Sequence, residues 1–293
     1  MIKKFIYSTL ALVLACSCAS NSTNETQEGD TSVNVMSFNV RYDNQEDSLN
    51  GWAYRRDRAA NAIKFYDADI IGSQETLHNQ VVDLQERLPE YTMLGVGRED
   101  GKEQGEYSAI WFKKDRFAVV DSGYFWLSET PDVAGSKGWD GACERIATWA
   151  VLKDNVSGKE LFFINTHLDH VGVVARREGI NLLFSKINEY AGERPVIATG
   201  DYNSTPESDV VAHITNNSDP SHLIDSRTIA PVVYGPAWSW HDFGGLTYAE
   251  RPLIDYVFVR GDLDVNRYGI LAEEDNGEYL SDHAPVLVNI TLK

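Results

Sequence analysis

Leu161-Phe-Phe-Ile-Asn-Thr-His-Leu-Asp169 is the stretch on which the fold turns. Residues 161–165 form an apolar, β-prone run of the length expected for a strand buried between two layers, and the run ends almost at once in an imidazole, His167. The arrangement recurs along the chain. Asn39 follows the run 33–38, Glu75 follows 69–71, and Asp201 and Asn203 follow 195–199. Towards the C-terminus the order inverts: Asp255 precedes the run 256–259, and Asp282-His283 precedes 285–290. Residues 108–112 and 146–152 read as further strands. In a mixed sheet, antiparallel strands start at the rim where others end, so one rim gathers all these polar groups where rigid strand ends can make them converge.

Between the strands lie helical patterns. Leu77, Val81, Leu84 and Leu88 recur at helical spacing, residues 175–190 keep Ile180, Leu183, Phe184 and Ile187 on one face, and 55–66 is a third candidate. Strands that alternate early with helices and then continue as strands predict two mixed sheets packed face to face with helices outside.

The N-terminus reads as an address. Lys3 and Lys4 precede the apolar run 5–14, too short to span a bilayer permanently, and Ala15 and Cys16 follow. Residues 1–15 are expected to be a signal peptide. Leu-Val-Leu-Ala-Cys resembles the bacterial lipobox, which implies cleavage before Cys16 and a lipid on it, with Cys18 as the second candidate. Residues 16–30 hold nothing to bury and are expected to be a disordered tether. Residues 31–293, roughly 260 of them, suit one large domain. The implied location is the cell envelope of a bacterium, anchored by lipid in the outer membrane or periplasm, as a monomer. Cys143 is left without a second well-placed cysteine, so a disulfide framework is not expected.

The formal net charge is −18, and it becomes −20 when Lys3 and Lys4 leave with the signal. A strongly acidic chain gains little from counterion release on a polyanion, which argues against a tight nucleic-acid binder.

The successive motifs Ser37-Phe38-Asn39-Val40-Arg41, Ser73-Gln74-Glu75, Gly105-Glu106-Tyr107, Asn165-Thr166-His167-Leu168-Asp169, Gly200-Asp201-Tyr202-Asn203, Ile254-Asp255-Tyr256 and Ser281-Asp282-His283 resemble, in order, those of the endonuclease/exonuclease/phosphatase family. Singly each is weak. Together they cover nearly all the chain after the tether. The resemblance implies a four-layer α/β/β/α sandwich and a phosphoesterase, phosphodiesterase or phosphatase, that uses Mg²⁺ or Mn²⁺. It implies Glu75 as principal metal ligand with Asn39 and Asp282 contributing, His283 paired with Asp255, and His167 paired with Glu106. Residues 138–140 together with 145–149 resemble most the secreted bacterial branch, and the segment 250–255 lacks the Cys-Asp-Arg signature of inositol phosphatases.

Phosphate ester hydrolysis needs neutralised phosphoryl oxygens, an activated water in line and help for the leaving oxygen. A carboxylate such as Glu75 is the hard oxygen ligand that Mg²⁺ prefers. Asp201 and Asn203, one residue apart, can face the same water from a sharp turn, or serve as an Asx turn into the next helix. Either Asp201 or His283 could be the base. A protonated imidazole at His167 or His283 would donate to phosphoryl oxygens or to a leaving group. Tyr107 is a candidate phosphate donor or a packed strand residue. Arg145 and Arg176 are candidates to fork onto phosphate. The aromatic stretch Tyr234-Gly-Pro-Ala-Trp-Ser-Trp-His-Asp-Phe243 offers Trp240 as a wall for a sugar or lipid head group. The expected substrate is a small or lipid-linked phosphate ester. The alternatives are an extracytoplasmic metal-dependent nuclease and a non-catalytic recognition module on the same scaffold.

Overall fold

Side chains alternate along the first strand, and that alternation already separates core from site. In the computed structural model, which describes Met1 and residues 31–293, strand β1 (Ser32–Asn39) sends Val33 and Val35 into one apolar cluster and Met36 and Phe38 into another. Ser37 and Asn39 continue the Val33 face, so the strand carries polar groups on the same side as its core residues only at its far end. The expected leader beyond Met1, Cys16, Cys18 and the tether lie outside the described residues.

The first half of the chain continues with α1 (Trp52–Phe65), β2 (Ile70–Thr76), α2 (His78–Arg87), β3 (Tyr91–Leu94) and β4 (Tyr107–Lys113). Next come β5 (Phe117–Trp126), β6 (Ile146–Asp154), β7 (Glu160–His167), α3 (Val173–Tyr190), β8 (Val196–Asp201) and α4 (Asp209–Ile214). The last part holds β9 (Ile224–Asp225), α5 (Ser226–Ile229), β10 (Val233–Tyr234), β11 (Asp255–Arg260), β12 (Leu263–Ile270), the hairpin β13 (Glu274–Asp275) and β14 (Glu278–Tyr279), and β15 (Val286–Leu292).

The first large sheet runs β10-β12-β15-β1-β2-β4-β3 and the second β5-β6-β7-β8-β11-β9. Both are mixed: β1 pairs β2 in parallel and β15 antiparallel, and β8 pairs β7 in parallel and β11 antiparallel. One cluster joins the facing sheets and extends to α3 and α4 through Ile180, Leu183, Phe184, Val211 and Ile214. The second joins the outer face of the first sheet to α1 and α2 through Ala59, Ile63, Val81 and Leu84. This is the expected α/β/β/α sandwich. The three predicted helices form, each with shifted ends. Sequence reading missed β3, β5 and β12. Residues 118–122 of β5 are five consecutive exposed positions on an edge strand, so neither a buried run nor clean alternation marks it.

Near one end the sheets are joined by polar side chains. Gln74 Nε2 donates to Asn165 Oδ1 at 2.7 Å, Thr199 Oγ1 donates to the same oxygen at 3.0 Å, and Gly200 N donates to Ser37 Oγ at 3.1 Å. Gly72 makes room for this belt: a Cβ there would lie 2.0 Å from Thr199 Oγ1 and 2.5 Å from Asn165 Oδ1. Gly72→Ala is therefore expected to destabilise the fold by about 3 kcal/mol, the upper end for overpacking, because two strands in opposite sheets would have to part. The urea midpoint measures it, and an unchanged midpoint would contradict this account of the belt.

Candidate active site

Strand register builds the site. In the second sheet His167 on β7 stands beside Asp201 on β8, and Asp201 stands beside Asp255 on β11, so three neighbouring strands present one polar row. Opposite, Asn39 ends β1 and pairs with Gln74 on β2. Glu75 is the next residue, which plain alternation would turn to the outer face. Its φ of 60° places it in the left-handed region, sparsely used by residues with a side chain, and the β2–β4 register shifts between Ser73 and Thr76. The distortion directs its carboxylate onto Asn39, whose Nδ2 donates to Glu75 Oε1 at 2.9 Å; Tyr42 N holds the other oxygen at 3.2 Å.

Asn39 Nδ2 also lies 3.0 Å from Asp201 Oδ2 and 3.4 Å from His283 Nε2. His283 Nδ1 bonds Asp255 Oδ2 at 2.8 Å. Burial opposes charge on this imidazole, but Asp255, Asp282 and Asp201 together raise its pKa well above the usual histidine value, so it is held protonated. His167 is the reverse. Burial, then Arg145 and Arg98, lower it well below the usual value and keep it neutral. Asn203 Nδ2, 3.0 Å from His167 Nε2 and 3.0 Å from Leu168 O, makes Nε2 the acceptor, so the ring proton belongs on Nδ1. That Nδ1 has no hydrogen-bond partner within reach and faces Glu106 Oε2 at 3.9 Å.

Asp201 lies between the two imidazoles, with Oδ2 3.5 Å from His167 Nε2 and 3.8 Å from His283 Nε2. Its Oδ1 accepts from Asn203 N at 2.9 Å, in a turn where Asn203 has φ 45°, so the Asx turn and the shared site coexist. Burial, and then the charge of Asp255, push the Asp201 carboxyl up to about 7. Burial also raises Asp282 and Glu106.

This crowding fits a divalent cation. Side-chain atoms of Glu75, Asp201 and His283 all lie within 4.8 Å of one another, and the Glu75 and Asp201 carboxylates share a single amide donor, Asn39 Nδ2. Asp282 stands at the edge of this group, its Oδ1 on Ser281 Oγ at 3.1 Å and its Oδ2 3.9 Å from Arg41 Nε. A hard cation satisfies such a surplus of oxygen donors.

The groups open into a cleft of about 580 Å³, a volume suited to a small ligand. Arg145, Glu106 and Trp240 line it as sequence reading expected, along with Asp201, Asn203, His167, His283, Glu75 and Asp282. Arg145 is buried, with Nη2 on His170 Nδ1 at 3.0 Å and Nε and Nη1 without hydrogen-bond partners. Two expectations need correction. Tyr107 falls on the outer face of β4 with Ala109 and Trp111, and its hydroxyl donates to Lys102 O at 2.8 Å, away from the cleft. Arg176 does not line the cleft; its Nη1 donates to Asp169 O at 2.9 Å and fixes the loop after His167. Sequence reading missed Arg98, whose Nη1 lies 2.6 Å from Glu106 Oε2, and Asp242 on the cleft wall. The signal for Arg98 was its place across a Gly-rich hairpin from Glu106, where Arg98 N donates to Glu106 O.

The comparisons agree with this geometry. The model of the endonuclease/exonuclease/phosphatase family matches residues 36–283. An endonuclease/exonuclease/phosphatase of Bacteroides vulgatus is 45% identical, with TM-score 0.87, over 90% of this chain and 100% of that one. A mannosyl-6-phosphatase of Bacteroides thetaiotaomicron is 36% identical, with TM-score 0.82, over 88% of this chain and 99% of that one. The Ccr4 3'-5'-exoribonuclease subunit of the CCR4-Not complex of Mycosarcoma maydis is 21% identical over 93% of this chain, which spans only 52% of that protein. Enzymes of this family hydrolyse phosphate esters and generally depend on a divalent metal. With the seven motifs meeting at one sandwich rim and the family model spanning them from Met36 to His283, the chain belongs to the endonuclease/exonuclease/phosphatase family.

Proposed function

We propose that the chain is a divalent-metal-dependent phosphomonoesterase that releases phosphate from a sugar phosphate in the bacterial cell envelope, where lipid on Cys16 would anchor it. The observation that carries this reading is Asp201 set between one protonated and one neutral imidazole beneath a cleft sized for a small ester. The mannosyl-6-phosphatase likeness supports a monoester, and the net charge of −18 disfavours a polyanion.

In this reading Asp201, set 3.5 Å from His167 Nε2 and 3.8 Å from His283 Nε2, accepts the proton of the attacking water. His283, oriented by Asp255, donates Nε2–H to a phosphoryl oxygen. His167, neutral at rest with Nε2 held by Asn203 and Nδ1 turned towards Glu106, would donate to the leaving oxygen after taking up a proton. Arg145 adds positive charge to the same wall. Glu75 and Asn39, with the Asp201 and Asp282 carboxylates near them, would hold Mg²⁺ or Mn²⁺, whose charge would neutralise the phosphate oxygens.

Turnover of mannose 6-phosphate, a small phosphodiester, plasmid DNA and RNA by the full chain, with and without chelator, tests the proposal. Chelator-sensitive phosphate release from the monoester is expected to exceed turnover of the other three. Efficient cutting of plasmid or RNA at physiological salt with the monoester inert would replace this reading with the nuclease alternative.

A further inference from the structure

Five carboxylates line the cleft, and four have partners. Glu75 is held by Asn39 and Tyr42, Glu106 by Arg98, Asp201 by Asn39 and Asn203, and Asp282 by Ser281. The fifth, Asp242, has no side-chain hydrogen bond or ion pair among the described residues. Its backbone is nevertheless held in an uncommon shape: Asp242 and Phe243 have φ 50° and 49°. His241 N donates to Asp282 O at 2.9 Å, Gly244 N donates to His241 Nδ1 at 3.2 Å, and Gly245 N donates to Asp242 O at 2.7 Å. Gly245 is also needed where it stands, because a Cβ there would lie 2.9 Å from the backbone oxygen of Asp242. Two consecutive left-handed residues in a tied-down loop cost free energy, and here they hold the backbone of an exposed, unpartnered carboxylate on the wall of the same cleft.

Trp240 is two residues away on the same wall. Its N donates to Pro252 O at 3.2 Å, a β-bridge joins it to His283, and its ring centre is 6.4 Å from the His283 imidazole. An aromatic face next to the phosphate position and a free double acceptor beyond it suit a ring that is apolar on one face and carries hydroxyl donors at its edge. A second anionic group would be repelled by Asp242. A cationic group would also suit this carboxylate and indole, which makes phosphocholine the competitor that discriminates.

Resting on the phosphomonoesterase reading above, we propose that Trp240 and Asp242 form the leaving-group subsite and select a neutral hexose, with the sugar face on the indole and ring hydroxyls donating to the Asp242 carboxylate. They are specificity residues, and the readout is a ratio. For D242N and for W240A, the ratio of kcat/KM for mannose 6-phosphate to that for p-nitrophenyl phosphate should fall about tenfold, mostly through KM of the sugar ester. Phosphocholine serves as a third substrate. Calorimetric binding of mannose 6-phosphate to the metal-free full chain gives a second reading that needs no turnover, and D242N should weaken it about tenfold. If wild type turns over the monoesters but D242N leaves the ratio unchanged, the subsite is overturned and the phosphomonoesterase reading stands. If wild type binds mannose 6-phosphate without hydrolysing it, and D242N weakens that binding, the subsite stands and the proposed activity falls. Absent wild-type binding, or a D242N loss confined to phosphocholine, overturns the subsite.

Discussion

Glu75→Gln is expected to lower phosphate ester turnover by about a thousandfold or more, ~4 kcal/mol of transition-state stabilisation, while leaving the thermal midpoint nearly unchanged. Glutamine keeps the shape and one acceptor oxygen, so it retains the bond from Asn39 Nδ2 or from Tyr42 N but not both, a loss of about 1 kcal/mol at a half-buried side chain that the distorted end of β2 tolerates. What it removes is the anionic oxygen of the principal expected ligand, at the point where Asp201 and His283 converge. Steady-state rates across a Mg²⁺ series, with a parallel melting curve, measure this. Wild-type activity with wild-type metal dependence in the variant would mean that Glu75 is not the ligand.

His283→Ala and His167→Ala should each reduce kcat by about a hundredfold or more, the scale of losing one general acid-base group or oxyanion donor. Asp255→Asn should do less. The 2.8 Å bond to Nδ1 orients His283 and favours its protonated form, but Asp255 is not on the cleft lining, and Asp282 and Asp201 also favour the charge. Because an imidazole held neutral and one held protonated have different tasks, the two alanine variants should differ in how their rates vary with the basicity of the leaving group. A larger kcat loss in Asp255→Asn than in His283→Ala would reverse these roles.

Much of the site could be read from sequence because it is built at strand ends. Val33, Val35, Ser37 and Asn39 share a face by simple alternation, and His167, Asp201 and Asp255 each adjoin a recognisable apolar run. Pairing register was not legible. Nothing local to the chain says that His167, Asp201 and Asp255 stand side by side. Alternation also had to be applied, and was not, to Tyr107, which shares its face with Ala109 and Trp111 and so leaves the cleft. Glu75 presents the opposite case: the resemblance named it, whereas its orientation depends on a left-handed backbone that a pattern of apolar residues cannot express. Arg98 and Asp242 come from long connections, where charged residues carry no periodic signal and only the folded loop shows which of them line the cleft.

Water activated beside Asp201 and His283 is expected to attack phosphorus directly, with no covalent enzyme intermediate. Hydrolysis of mannose 6-phosphate by the metal-loaded full chain in ¹⁸O-labelled water tests it most directly, by mass analysis of the released phosphate and sugar. One solvent oxygen is expected in each phosphate released in a single turnover, none in the sugar, and no phosphorylated His167 or His283 on rapid quenching. Label in the sugar hydroxyl, or phosphate trapped on either histidine, would contradict it.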